Sequence, residues 1–237
     1  NPLRDFVKHT EFVSSAVFSP DGTKILTSSA DGTAKLWDLQ GNVLTNIKIN
    51  SGRRNSAIFS PDGTEILTVS IVVRIWDLKG RPLAKIGNII DEEYKRRFTG
   101  DYSFTSAVFS PNGKRVLTAS NDNTAGLWDL KGNLLAKFNG HKGIVNSAVF
   151  SLDGKRVLTA SADGTAKMWD SNGNLLADFN MHTGIVYAAV FSPDGTRVLT
   201  ASADRTAKLQ YTPEGIIQWL KTGKIPQLAG DLRVISF

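Results

Sequence analysis

The sequence predicts an all-β fold: small antiparallel sheets arranged in a ring, made from five copies of one four-stranded unit. Three observations lead there. Trp-Asp pairs recur at Trp37-Asp38, Trp76-Asp77, Trp128-Asp129 and Trp169-Asp170, spaced by 39, 52 and 41 residues, and another 41 residues on stands Gln210. The strings SAVFSP (15–20), SAIFSP (56–61), SAVFSP (106–111), SAVFSL (147–152) and AAVFSP (188–193) keep the same phase. So do ILTSS, ILTVS and three VLTAS runs. A catalytic constellation is needed once. A pattern used five times is structural, so function lies where the copies differ.

Copy four shows the elements in order. VNSAVF alternates as strand a, and SLDG turns. RVLTAS, β-branched and apolar, is strand b; ADG is a tight turn; TAKMW is strand c; SNGN turns again; LLADF is strand d. Asp-Gly between alternating runs is a hairpin signal because Gly tolerates positive φ. In copy one the same reading places strands near 13–18, 25–29, 33–37 and 42–47. One such sheet cannot bury both faces, whereas a ring of them can.

Composition sets the outer limits. The chain has 237 residues, 41% apolar, enough for one all-β domain with a substantial core. No apolar run reaches membrane-spanning length, and no signal peptide is visible. A chain starting at Asn1 reads as processed or as a piece of something longer. Zero cysteines exclude disulfides and thiolate metal sites and fit a cytoplasmic setting. The net charge of +6 would suit an acidic partner only if the charges cluster.

With these markers in phase, the chain resembles a WD40-repeat β-propeller over residues 1–212, with five four-stranded blades and a short C-terminal helix. The tail TPEGIIQWLKTGKIPQL is similar to the ends of bacterial WD40 arrays, where the repeats form part of larger proteins. The resemblance implies a buried His–Thr–Asp–Trp tetrad in each blade. It is complete as His9, Thr27, Asp31 and Trp37 in copy one, and as His141, Thr159, Asp163 and Trp169 in copy four. Copy two keeps Thr68 and Trp76 but has Asn50 for the His and a shortened b–c turn. Copy three keeps Thr118, Asp122 and Trp128 with Gly100 at the His position; copy five keeps His182, Thr200 and Asp204 with Gln210 for the Trp. All three histidines are therefore structural. No metal cluster, phosphate loop or nucleophile elbow stands outside the repeat, and no cofactor is expected.

The ends belong together. NPLRDFVKH (1–9) matches NLLADFNMH (174–182), so residues 1–7 read as the outer strand that closes the last blade. Residues 213–237 read as a helix and tail, with Thr212 as N-cap, Pro213 at N1, Glu214 in the first turn and Gly223 as a stop. Gln210 then marks a last blade sealed by that helix. The alternative is that five copies form part of a larger ring.

Charge separates the two faces. The a–b turns carry Lys24, Lys114, Arg115, Lys155, Arg156 and Arg197 against Asp21, Asp62, Glu65, Asp153 and Asp194, a mixed face and no nucleic-acid groove. On the opposite face, the resemblance implies that residues flanking the start of strand a meet partners. In copy order these are Phe12/Ser14, Arg53/Asn55, Ser103/Thr105, Ile144/Asn146 and Ile185/Tyr187, varied on a fixed frame. An insertion of eleven residues within 87–99 borders that face, with Ile90, Tyr94 and Phe98 on one helical side. Such a ring reads as a non-catalytic scaffold for a protein or peptide, alone or as the sensor of a larger signalling protein, with no membrane and no nucleic acid. The alternatives are a propeller enzyme acting in the central channel and a weak nucleic-acid binder.

Overall fold

The computed structural model describes residues 5–49, 55–87 and 104–222. They form five antiparallel sheets, one per repeat. Blade one holds β1 (Val13–Phe18), β2 (Lys24–Ser29), β3 (Thr33–Asp38) and β4 (Val43–Lys48). Blade two holds β5 (Ser56–Phe59), β6 (Glu65–Val69), β7 (Val73–Asp77) and β8 (Pro82–Ile86). Blade three holds β9 (Phe104–Phe109), β10 (Arg115–Ser120), β11 (Thr124–Asp129) and β12 (Leu134–Asn139). Blade four holds β13 (Val145–Phe150), β14 (Arg156–Ser161), β15 (Thr165–Asp170) and β16 (Leu175–Asn180). Blade five holds β17 (Val186–Phe191), β18 (Arg197–Ser202) and β19 (Ala207–Tyr211). The expected strands of copy one are present, within a residue at each end.

The b–c turns explain the short hairpins. Gly32 and Gly164 take φ of 79° and 86° there. Blades three and five put Asn123 (φ 69°) and Arg205 (φ 70°) in the same place. Asn tolerates the left-handed region, whereas Arg carries a steric cost.

The core lies between blades and repeats one recipe. Blade one offers Leu26, Leu36 and Ile47; blade two answers with Ala57, Phe59, Ile66 and Trp76. Leu67, Ile75 and Ile86 then meet Ala107, Phe109, Val116 and Trp128. Leu117, Leu127 and Phe138 meet Ala148, Val157 and Trp169. Leu158, Met168 and Phe179 meet Ala189 and Val198. The two ends lack this cover. Leu199 and Leu209 of blade five are 44% and 59% exposed, and Phe18 of blade one is 67% exposed against 9% for its counterpart Phe59. Among the described residues, no substantial packing joins blade five to blade one.

The fifth sheet has three strands, so it departs from the four-strand expectation. Of the segment expected to close it, residues 1–4 lie outside the described residues. Asp5, Phe6 and Val7 carry no strand. Phe6 instead rests edge-on against Trp37 of blade one, centroids 5.4 Å apart and planes at 83°.

The helix α1 (Pro213–Thr222) starts as its sequence dictates. Thr212 Oγ1 accepts from the Gly215 amide at 3.1 Å, the N-cap bond. Thr212 is itself anchored to the a–b turn, its amide to Thr196 O and its hydroxyl to Gly195 O. Glu214 pairs with Arg156 at 2.9 Å. A Cβ on Gly215 would fall 2.0 Å from Thr196 O, so the close approach requires glycine. The expectation that this helix seals the last blade is corrected here. It docks on the a–b turns and leaves Leu199 and Leu209 exposed.

Candidate functional site

The histidines sit in networks that leave no chemistry free. His9 Nδ1 donates to Asp31 Oδ2 at 2.8 Å, and Nε2 meets Thr27 Oγ1 at 2.7 Å. Trp37 Nε1 donates to that same Thr27 oxygen at 2.8 Å. In blade four, His141 lies 2.9 Å from Asp163 and 2.7 Å from Thr159, and Trp169 donates to Thr159 at 2.9 Å. Blade five repeats the His182–Asp204 and His182–Thr200 contacts, both at 2.7 Å. Among the described residues, the tetrad bond that blades two and three share with the others is the Trp-to-Thr bond, Trp76 to Thr68 at 2.8 Å and Trp128 to Thr118 at 2.9 Å; Asn50 and Gly100, at the His positions, lie outside the described residues. A carboxylate on Nδ1 fixes the tautomer, so Nε2 accepts the threonine proton and cannot act as a base elsewhere.

Electrostatics agree. Burial alone would raise the Asp163 carboxyl. Hydrogen bonds from the Thr165 hydroxyl, the Lys142 amide and His141 outweigh it and hold the group down at about 2. Burial pushes the His141 imidazole below its ordinary value, although Asp163 pulls the other way. The ring is therefore neutral near pH 7.

The sequence pattern did not announce a further member of each network. Thr33, Thr165 and Thr206 each donate to the tetrad aspartate at 2.6–2.7 Å. Their signal was the Thr that recurs at or just before the start of strand c in every copy but the second. A second missed feature is the cation three residues into c. Lys35 reaches Asn46 at 2.9 Å and Lys167 pairs with Asp178, both partners on strand d. Blade three has Gly126 there and no His. Thr118, Asp122, Gly126 and Trp128 help line a cavity of about 50 Å³.

The expected partner-facing residues split into two groups. Ser14 Oγ donates to Asn55 O at 2.5 Å, Thr105 Oγ1 to Val145 O at 2.5 Å, and Asn146 Nδ2 to Val186 O at 2.9 Å. Each bond crosses to the next blade. Asn55 is buried and donates back to Ser29 O at 3.0 Å. These residues stitch blades together. Phe12, Ile144, Ile185 and Tyr187 are exposed, Phe12 and Tyr187 by more than half. Arg53, Ser103 and the insertion residues Ile90, Tyr94 and Phe98 lie outside the described residues.

The opposite face is also stitched. Arg115 and Arg156 donate to the carbonyls of Gly154 and Gly195 in the following blade, both at 3.3 Å. Arg156 additionally lies 5.3 Å from the Phe191 ring centroid. Among the described residues, no group of three or more His, Cys, Asp or Glu could hold a metal ion. No helix there is long and apolar enough to cross a membrane.

Four four-stranded blades, each centred on a Trp–Thr bond, and a fifth sheet of three strands, joined through their faces, define a propeller-type repeat protein. The WD domain, G-beta repeat family (WD40) matches residues 1–38, 92–129, 132–170 and 173–209, more than half of the chain. The chain belongs to that family. Members are typically non-catalytic and mediate protein interactions and scaffolding. The last two matched spans begin in or just before strand d of one blade and end in strand c of the next, the phase in which the blades interlock. No curated protein matches the chain.

Proposed function

We propose that this chain is a non-catalytic scaffold that binds a protein or peptide on the face carrying the d–a loops and b–c turns. One observation carries the reading. On that face the polar positions Ser14, Asn55, Thr105 and Asn146 are consumed by bonds between and within blades, while Phe12, Ile144, Ile185 and Tyr187 stay exposed. Large apolar groups on a rigid frame are the anchors of interfaces, each contributing about 2 kcal/mol or more when centrally buried. The a–b face offers less, because Arg115 and Arg156 are tied to backbone carbonyls. A cytoplasmic location and a sensor role within a signalling protein belong to the same proposal.

The test is a pull-down with the intact chain and with Phe12→Ala/Tyr187→Ala. Partners are lost from the double variant while its melting curve is unchanged. Binding that survives there, but disappears with Lys114→Glu/Lys155→Glu on the other face, overturns the assignment.

A further inference from the structure

We propose that the cavity between blades two and three binds an imidazole ring, free or carried by the histidine of a peptide, in the place where blade three lacks a histidine of its own. The complete blades define that place. In blade four, His141 is surrounded by Thr159 at 2.7 Å, Asp163 at 2.9 Å, the Thr165 hydroxyl at 3.2 Å and the Trp169 ring at 6.3 Å between centroids. Blade one surrounds His9 in the same way with Thr27, Asp31, Thr33 and Trp37. Their counterparts in blade three, each 41 positions before those of blade four, are Thr118, Asp122, Thr124 and Trp128, and the same offset from His141 falls on Gly100. All four counterparts line the cavity.

The polar groups of that lining are set for a ring. In blades one and four, Oδ1 of the aspartate takes the strand-c threonine and Oδ2 takes the histidine. In blade three, Asp122 Oδ1 accepts from the Thr124 amide at 3.0 Å and from its hydroxyl at 2.7 Å. Among the described residues, nothing donates to Asp122 Oδ2. Thr118 is 1% exposed, and its oxygen accepts from Trp128 Nε1 at 2.9 Å. Its own proton makes a long contact, 3.4 Å to the Gly126 carbonyl. Thr159 makes the same long contact to Lys167 O at 3.3 Å, but its short bond goes to His141. Thr118 has no such short bond among the described residues. A carboxylate acceptor and a hydroxyl donor so placed match the N–H and the bare nitrogen of a neutral imidazole. An imidazolium would offer Thr118 no acceptor.

Size and the remaining walls agree. Val72, Phe104, Ala125 and the Trp128 ring make an apolar lining. Gly126 stands where blades one and four carry Lys35 and Lys167, which takes a long side chain off the same wall. The volume of about 50 Å³ is several times the roughly 10–15 Å³ that one water needs, room for a single five-membered ring. Ile71, Leu134 and Lys137 also line the cavity and are exposed, so it opens to solvent. Two polar anchors in an apolar cavity fix the orientation of a ligand. None of Phe12, Ile144, Ile185 and Tyr187 lines it, so its occupancy and partner docking are tested separately.

The readout is the indole N–H of Trp128 in a proton–nitrogen correlation spectrum, assigned with Trp128→Phe. Imidazole titrated at about pH 8, where the ring is neutral, shifts that signal saturably in the millimolar range. The Trp37 and Trp169 signals stay in place, because His9 and His141 fill their sites. N-Methylimidazole lacks the N–H that Asp122 would accept and binds at least about 10-fold more weakly. Pyrazole, equal in size but with adjacent nitrogens, binds about 5-fold more weakly. Asp122→Ala weakens imidazole at least about 10-fold while the chain still melts cooperatively. The pyrazole comparison uses the unmodified chain and decides the matter should that variant fail to fold. A capped Gly-Gly-His-Gly-Gly peptide distinguishes the sources. Binding tighter than that of imidazole assigns the site to a partner's histidine, and weaker binding assigns it to a free imidazole compound. An unmoved Trp128 signal, equal binding of pyrazole and N-methylimidazole, or binding undiminished in Asp122→Ala overturns the proposal.

Discussion

Replacing Asp163 by Ala removes the acceptor of four hydrogen bonds. The donors are His141 Nδ1 at 2.9 Å, the Lys142 amide at 2.8 Å, the Thr165 amide at 3.0 Å and the Thr165 hydroxyl at 2.7 Å. They do not cost equally. The His141 side chain is 1% exposed, so its N–H cannot reach water, and an orphaned buried donor costs about 1–3 kcal/mol. The Lys142 amide is exposed and Thr165 half-buried, so water replaces much of what they lose, at about 0.5 kcal/mol each. The expected loss is about 2–4 kcal/mol. At this chain length that lowers the melting temperature by roughly 5–15 °C. Asp153→Ala is the control. It also accepts two bonds, from Ser151 at 2.6 Å and the Lys155 amide at 3.0 Å, but in an exposed turn, and costs about 0.5 kcal/mol. Urea midpoints at constant slope measure both. Equal losses, or an Asp163 loss no larger than that of Asp153, refute the view that the tetrad is buried machinery for stability.

The same carboxylate carries a pH signature. Its folded value is about 2 against an ordinary 3.8, so its contribution is complete above 3.8 and is lost as pH falls from there through 2. The stability gap between the parent and Asp163→Ala narrows over that range; a gap constant from pH 5 to pH 2 contradicts the assignment. His141, lowered from 6.5 by burial, has the same sign: the unfolded chain takes up its proton first, so stability declines as pH falls below 6.5. A urea midpoint flat between pH 7 and pH 5 contradicts that. Gly126→Ala places a methyl 2.7 Å from Trp128 Nε1, which donates to Thr118, and lowers stability by about 1–2 kcal/mol in denaturant melts. Arg205→Gly relieves the positive φ of the last b–c turn and stabilises by about 0.5–1 kcal/mol, read as a raised midpoint; a drop shows that the turn is not strained.

The repeat, its strands and its tetrads were legible in the linear chain because they depend on local period and fixed spacing. Alternating apolar residues, Asp-Gly turns and the returning Trp each act within about 40 residues, and every copy confirms the others. The same holds for the N-cap at Thr212, which is set by hydrogen bonds within four residues.

Tertiary structure decided matters that depend on neighbouring blades. Ser14 and Phe12 stand two apart and read alike as variable positions, yet one bonds across to Asn55 and the other faces solvent. Arg156 reads as one charge of a mixed face, but in space it is held by Gly195, Phe191 and Glu214. Leu199 is spelled as Leu158 is, in the same VLTAS run, and only the presence or absence of a following blade makes one exposed and the other buried. Identical local sequence gives identical strands. Whether a strand's face is core or surface is a property of what packs against it, and that is set by the order and number of blades in space.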